Sequence, residues 1–195
     1  MKNRIAICLF LVNLCCVYSQ ETALVKTDSC DCRHQITELD IALLCFNVED
    51  MYEADEPEKG FTFAFEESLW KMSCAVPGVD TREEAIMKVQ CMWNKYRERI
   101  RCYVHPTSIA VNKNITKFSL DINNTVFIYQ AVRKYNLDMN FLDPADNKTF
   151  LDFVEEREEY FRTITPVDIT KADEYQKIYQ LLKTHGAKHC RELIN

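Results

Sequence analysis

Glycine and proline are scarce, three and five residues in a chain of 195. That scarcity argues against an all-β architecture, which needs turn residues at short, regular intervals. Strict apolar alternation is missing as well, so strands have little support. No Gly-x-Ser-x-Gly elbow and no His-Glu-x-x-His helix occurs, and no complete catalytic or cofactor motif is present. Beyond the first residues, no apolar run approaches the roughly 20 residues of a spanning helix, which leaves no membrane anchor. Basic residues are outnumbered, 24 Lys and Arg against 30 Asp and Glu, for a formal charge of -6. An acidic chain repels phosphate backbones, and nucleic acid is therefore not an expected partner.

What is present begins with a leader. Lys2 and Arg4 precede an apolar stretch from Ile5 to Val17, and Val17 and Ser19 stand where a signal peptidase prefers small or apolar residues. We read residues 1–19 as a signal peptide cut after Ser19, and residues 20–195 as a single secreted domain. Its first half, 30–106, is rich in cysteine; its second, 107–195, carries the glycan patterns. Three of the ten cysteines leave with the leader. Seven remain: Cys30, Cys32, Cys45, Cys74, Cys91, Cys102 and Cys190.

Apolar residues recur at intervals of three and four. The expected fold is all-α, a disulfide-stapled bundle of about five to six helices. A first helix is expected from Cys32 to about Met51, with Ile36, Leu39, Leu43 and Phe46 as its buried stripe. An acidic loop to Gly60 precedes a second helix, Phe61 to Cys74, that buries Phe65, Leu69 and Met72. Thr81 and Glu84 have the spacing of a capping box, so the third helix starts there. Its stripe, Ile86, Val89, Trp93, Tyr96, Ile100 and Tyr103, predicts a helix running to the stop at His105 and Pro106. Further helices are expected over Asn124 to Tyr135, Asn147 to Ile164 and Asp168 to His185, with Gly186 terminating the last.

On a helix that long, Cys91 and Cys102 are eleven residues apart and roughly 16 Å apart along the axis, too far to bridge. An up-down-up packing of three helices then pairs Cys45 with Cys91, Cys74 with Cys30 or Cys32, and Cys102 with Cys190. Three bridges leave one thiol over, which is either buried or links two chains as a disulfide-bonded homodimer; Cys30 or Cys32 is the candidate. A redox role for Cys30-Asp31-Cys32 is disfavoured by the single intervening residue and the lack of a thioredoxin-like pattern.

Asn114-Ile115-Thr116, Asn123-Asn124-Thr125 and Asn147-Lys148-Thr149 are glycan acceptor patterns. They suggest that this side of the molecule faces solvent. His185 and His189 have the spacing of two ligands on one helix, but Gly186 divides them and Cys190 is better used in a bridge, so no metal site is assigned. His34 and His105 sit in no nucleophile motif. Glu66 with Glu67, and Glu155 with Glu156, are read as wet helix faces, not as a glycosidase pair. Lys95, Arg97, Arg99 and Arg101 form a basic cluster, read as solvated and less readily as a site for a sulfated glycan. Trp70, Trp93 and Tyr96, with Phe63 and Phe65, are either plain core or the lining of an apolar ligand site.

From Cys30 to Cys102, a cysteine pair precedes a helix with a central cysteine, and the helix Cys91-Met92-Trp93-Asn94-Lys95-Tyr96 follows. This arrangement resembles secreted cysteine-patterned helical domains of unknown function expanded in nematodes. The resemblance implies an extracellular location and disulfides, and no activity. The function expected from the residues is that of a secreted, non-enzymatic glycoprotein, without cofactor, that binds an extracellular macromolecule. A carrier of a small apolar ligand is the alternative, and an extracellular hydrolase the third reading.

Overall fold

The computed structural model describes residues 32, 35–50, 63–103 and 112–193. The leader, Cys30, His34, the acidic loop before Gly60, the side chain of Phe63, and the stop at His105 and Pro106 lie outside the described residues. The chain is mostly helical and divides into two compact units, one spanning Thr27–Asp138 and one built on Met139–Asn195. It is not all-α, because a two-stranded antiparallel sheet is also present. No helix among the described residues is long and apolar enough to cross a membrane.

In the first unit, α1 (Glu38–Glu49) starts at Thr37, whose hydroxyl accepts from Asp40 N while the Asp40 carboxylate accepts from Thr37 N. This capping box satisfies two otherwise orphaned donors and stabilises the helix start by about 1 kcal/mol. The helix thus starts several residues beyond Cys32, the start expected from the sequence pattern. α2 (Phe63–Ser73) buries Phe65, Leu69 and Met72, the expected stripe. α3 (Arg82–Tyr96) begins at the Thr81 and Glu84 capping box, as its spacing indicates.

The end of α3 departs from expectation. The helix stops at Tyr96, and the chain turns into β1 (Arg101–Tyr103), which pairs with β2 (Asn112–Asn114) in the register Arg101 with Asn114 and Cys102 with Lys113. Ile100 remains fully buried although it has left the helix, so its apolar character does not depend on continued helical periodicity. Two short helices follow, α4 (Ile115–Asp121) and α5 (Thr125–Tyr129), the latter continued by a π-helical turn over Gln130–Lys134. Phe65 of α2 meets Phe127 of α5 edge to face, ring centroids 5.7 Å apart. Such a pair adds about 1 kcal/mol beyond the area it buries.

This turn rearranges the disulfides. Cys32 is joined to Cys74, and Cys45 to Cys102, each with Cα atoms 5.5 Å apart. The expected Cys45–Cys91 and Cys102–Cys190 pairs are therefore corrected. They assumed that α3 carries Cys102 to its far end, whereas β1 folds back beside α1 and brings Cys102 to Cys45. Cys91 is also held in a disulfide, and so is Cys190.

The second unit is a helical hairpin, α6 (Phe150–Thr163) and α7 (Ile169–Thr184), followed by the short α8 (Cys190–Leu193). Thr149 and Asp152 form a third capping box at the start of α6. Phe150, Leu151 and Val154 of α6 and Tyr175, Ile178 and Leu182 of α7 are buried in the core of this hairpin. Phe161 lies beside Tyr175, centroids 5.5 Å apart. Gly186 holds φ at +82°, a left-handed turn that glycine adopts without steric cost and that ends the helix run.

Candidate functional site

The densest polar cluster of the second unit gathers on Asp152. One carboxylate oxygen accepts from His189 Nδ1 at 2.8 Å; the other accepts from Cys190 N at 3.0 Å and from the Thr149 hydroxyl at 2.8 Å. His189 Nε2 lies 3.1 Å from the Tyr179 hydroxyl. Carboxylate, imidazole and hydroxyl in line have the form of a general-base relay. Here the imidazole is only 4% exposed and both of its ring nitrogens are engaged. The arrangement fastens the segment after α7 onto the start of α6. Burial pushes the Asp152 carboxyl up, but the Cys190 N–H, the Thr149 hydroxyl, the His189 ring and the Thr149 N–H together hold it below the ordinary carboxylate range. His189 thus belongs to the packed frame and not to a solvated tail. His185 is exposed, with Nδ1 2.9 Å from Leu181 O, so the two histidines do not converge. No group of three metal-ligating side chains occurs among the described residues.

In the first unit, Glu66 accepts from Lys134 Nζ and from the Tyr135 hydroxyl, both at 2.8 Å. Burial and this bond to a carboxylate hold the Tyr135 phenol well above its ordinary range, fully protonated. Trp93 is core: it is buried, and its Nε1 donates to Asp138 O at 2.7 Å. Trp70 is half-buried. Its Nε1 falls short of hydrogen-bond geometry with any described residue, although it lies near enough to the Tyr135 hydroxyl to favour the phenolate. Tyr96 is half-buried, with Lys95 Nζ 5.4 Å and Arg99 Cζ 5.7 Å from its ring centroid. The basic cluster is largely used by the fold. Arg97 donates to the Asp138 carboxylate at 2.6 Å, and Arg101 to Asn112 O at 2.8 Å.

The three glycan patterns separate. Asn123 is exposed and Asn147 half-buried, and both hold left-handed turns, with φ at 62° and 56°, a conformation that asparagine tolerates better than other non-glycine residues. Asn114 is 0% exposed. Its Nδ2 donates to Arg97 O at 2.7 Å, and its Oδ1 accepts from Thr116 N at 3.1 Å and Thr116 Oγ1 at 2.9 Å. One side chain thus caps the end of α3 and the start of α4. The expectation that all three patterns face solvent is corrected, because the Asn114 amide nitrogen that a sugar would occupy is buried and already donating.

The surface with the clearest capacity to bind is on α1. Leu39 is 66% exposed, Leu43 42% and Phe46 62%, with Ala42 exposed between them. The sequence pattern placed this stripe in the core. The buried face is instead Asp40, Ile41, Leu44 and Val48, since α1 is apolar on both sides and two faces satisfy the same periodicity. Asp40 is held inside by its cap and by Lys71 Nζ at 3.0 Å. Asn47 Nδ2 reaches Ala64 O at 3.0 Å and Ser68 Oγ at 2.6 Å, and Asn124 donates to Val48 O. Together with the Cys45–Cys102 bridge, these contacts fix which face turns outward.

No protein-family model, no curated protein and no solved structure matches the chain. The functional reading therefore rests on these residues.

Proposed function

We propose that this chain is a secreted, disulfide-bonded glycoprotein that acts outside the cell by binding another macromolecule, without catalysing a reaction. The observation that supports the reading is the outward stripe of Leu39, Leu43 and Phe46. Large apolar side chains adjoining one another on a soluble surface mark an interaction site more often than not. The helix that carries them is cross-linked and capped, so it is presented in a fixed geometry at little ordering cost on binding. Disulfides such as Cys32–Cys74 and Cys45–Cys102 suit an oxidising compartment, and the leader pattern supplies the route. The glycans belong on Asn123 and Asn147.

Expression of the whole chain in a eukaryotic secretory cell tests this reading. The medium should contain protein beginning at Gln20, with two N-glycans. Intact mass with and without reductant then reports whether a cysteine also joins two chains. Retention inside the cell with the leader uncut would overturn the reading.

A further inference from the structure

We propose that α1 is itself a helical ligand, and that its outer face enters an apolar groove, rimmed by basic residues, on a separate extracellular protein. The proposal rests on the binding role stated above and names the surface and the chemistry of the partner.

Leu39, Ala42, Leu43 and Phe46 stand at i, i+3, i+4 and i+7. This is the anchor spacing by which a helix fills a groove, and each of the three large side chains is exposed. The residues between them carry the inward contacts, so one helix serves two apolar surfaces. The Cys45–Cys102 bridge and the Asn47 contacts hold the inward side and leave the stripe unencumbered.

Charge selects the partner. α1 contains no Lys or Arg. Its Glu38 and Glu49, together with Asp50 just after the helix, are exposed around the stripe. Of the described bases on elements packed against α1, Lys71 is engaged by Asp40 and Arg101 by Asn112, and Lys117 of α4 is buried. A second copy laid on this face would bring Glu38, Glu49 and Asp50 against the same acids, with no lysine or arginine on α1 itself to set between them. An anionic lipid surface would be repelled by the same groups. A groove with a lysine or arginine rim complements both the apolar centre and the acidic edge.

The test uses the full secreted protein and a designed helical probe that presents an apolar groove rimmed by lysines, alongside a copy whose rim lysines are glutamates. The expected result is saturable binding to the lysine-rimmed probe alone, weakened by added salt. Leu43→Asp and, separately, Leu39→Asp should each weaken it by about tenfold or more, the equivalent of one apolar anchor. Met87→Asp, on the exposed side of α3, should leave it unchanged. Circular dichroism and a melting curve confirm that each variant folds. Equal binding to both probes, or none, overturns the proposal. So does a concentration-dependent dimer, or binding to phosphatidylcholine vesicles, that Leu43→Asp abolishes. A photo-crosslinking residue placed at position 43 and, separately, at 87 distinguishes the two levels of failure in extracellular fluid. Protein adducts from 87 alone overturn the α1 surface and keep a binding role; adducts from neither overturn both.

Discussion

Replacing Asn114 by alanine separates a glycan acceptor from a structural cap. In the folded chain the Asn114 amide donates to Arg97 O, and its carbonyl oxygen accepts from the Thr116 N–H and hydroxyl. Removing an N-cap oxygen costs about 1 kcal/mol. Leaving the Thr116 hydroxyl without its acceptor and Arg97 O without its donor adds about 1–3 kcal/mol. Asn114→Ala should therefore destabilise the protein by about 2–4 kcal/mol in total. In a urea titration this appears as a midpoint lowered by about 1–2 M with an unchanged slope, given a slope of about 2 kcal/mol/M. Asn114→Asp keeps both acceptor contacts but turns a carboxylate oxygen toward Arg97 O at a buried position, so its midpoint should also fall below that of wild type. Glycosidase release in heavy-oxygen water, which marks each formerly glycosylated asparagine, should label Asn123 and Asn147 and leave Asn114 unlabelled. An unchanged midpoint in Asn114→Ala, or a label on Asn114, would refute the reasoning, since either means that the amide is not committed to Arg97.

Cys45→Ala combined with Cys102→Ala opens a bridge of sequence separation 57, and chain entropy sets its contribution at about 4 kcal/mol. The denaturation midpoint should drop accordingly and α1 amides should exchange faster; an unaltered midpoint would count against the bridge as a fastening. Because the folded Asp152 carboxyl lies below its ordinary value of 3.8, its stabilising share is complete above that pH and is lost as pH falls through the lowered value. Asp152→Asn should lower stability near neutral pH by about 2–4 kcal/mol and flatten that acid limb in melts recorded from neutral to acid pH. A variant limb as steep as that of wild type would show that other carboxylates carry it. Tyr135 is protonated throughout the native alkaline range, so Tyr135→Phe should leave the phenolate absorbance titration of the folded protein unchanged while reducing its stability. A lost titrating step would contradict the buried bond to Glu66.

How much of this was legible beforehand varied by element. α2 and its stripe of Phe65, Leu69 and Met72 are legible in sequence because these apolar residues recur at helical spacing between polar ones. The start of α3 was readable because Thr81 and Glu84 form the common capping pair. The starts of α1 and α6 are harder to read, because the third-position partner is aspartate, Asp40 and Asp152, which closes the same box with a shorter side chain; periodicity alone puts them earlier, at Cys32 and Asn147. α4 was missed altogether. Its Thr116, Lys117 and Ser119 look like loop residues in sequence but are buried in the structure.

By itself the sequence determined the helical character, the acidic charge, the cysteine complement and the cap of α3, which depend on composition or on residues a few places apart. Only the tertiary structure decided which side of α1 faces water, where α3 ends, which cysteines meet and which glycan pattern is closed. Each of those outcomes depends on a partner distant in the chain: Cys102 for Cys45, Arg97 for Asn114 and Lys71 for Asp40. Local periodicity admits two faces and two helix lengths equally well, and the free energy that chooses between them comes from contacts made only once the chain has folded.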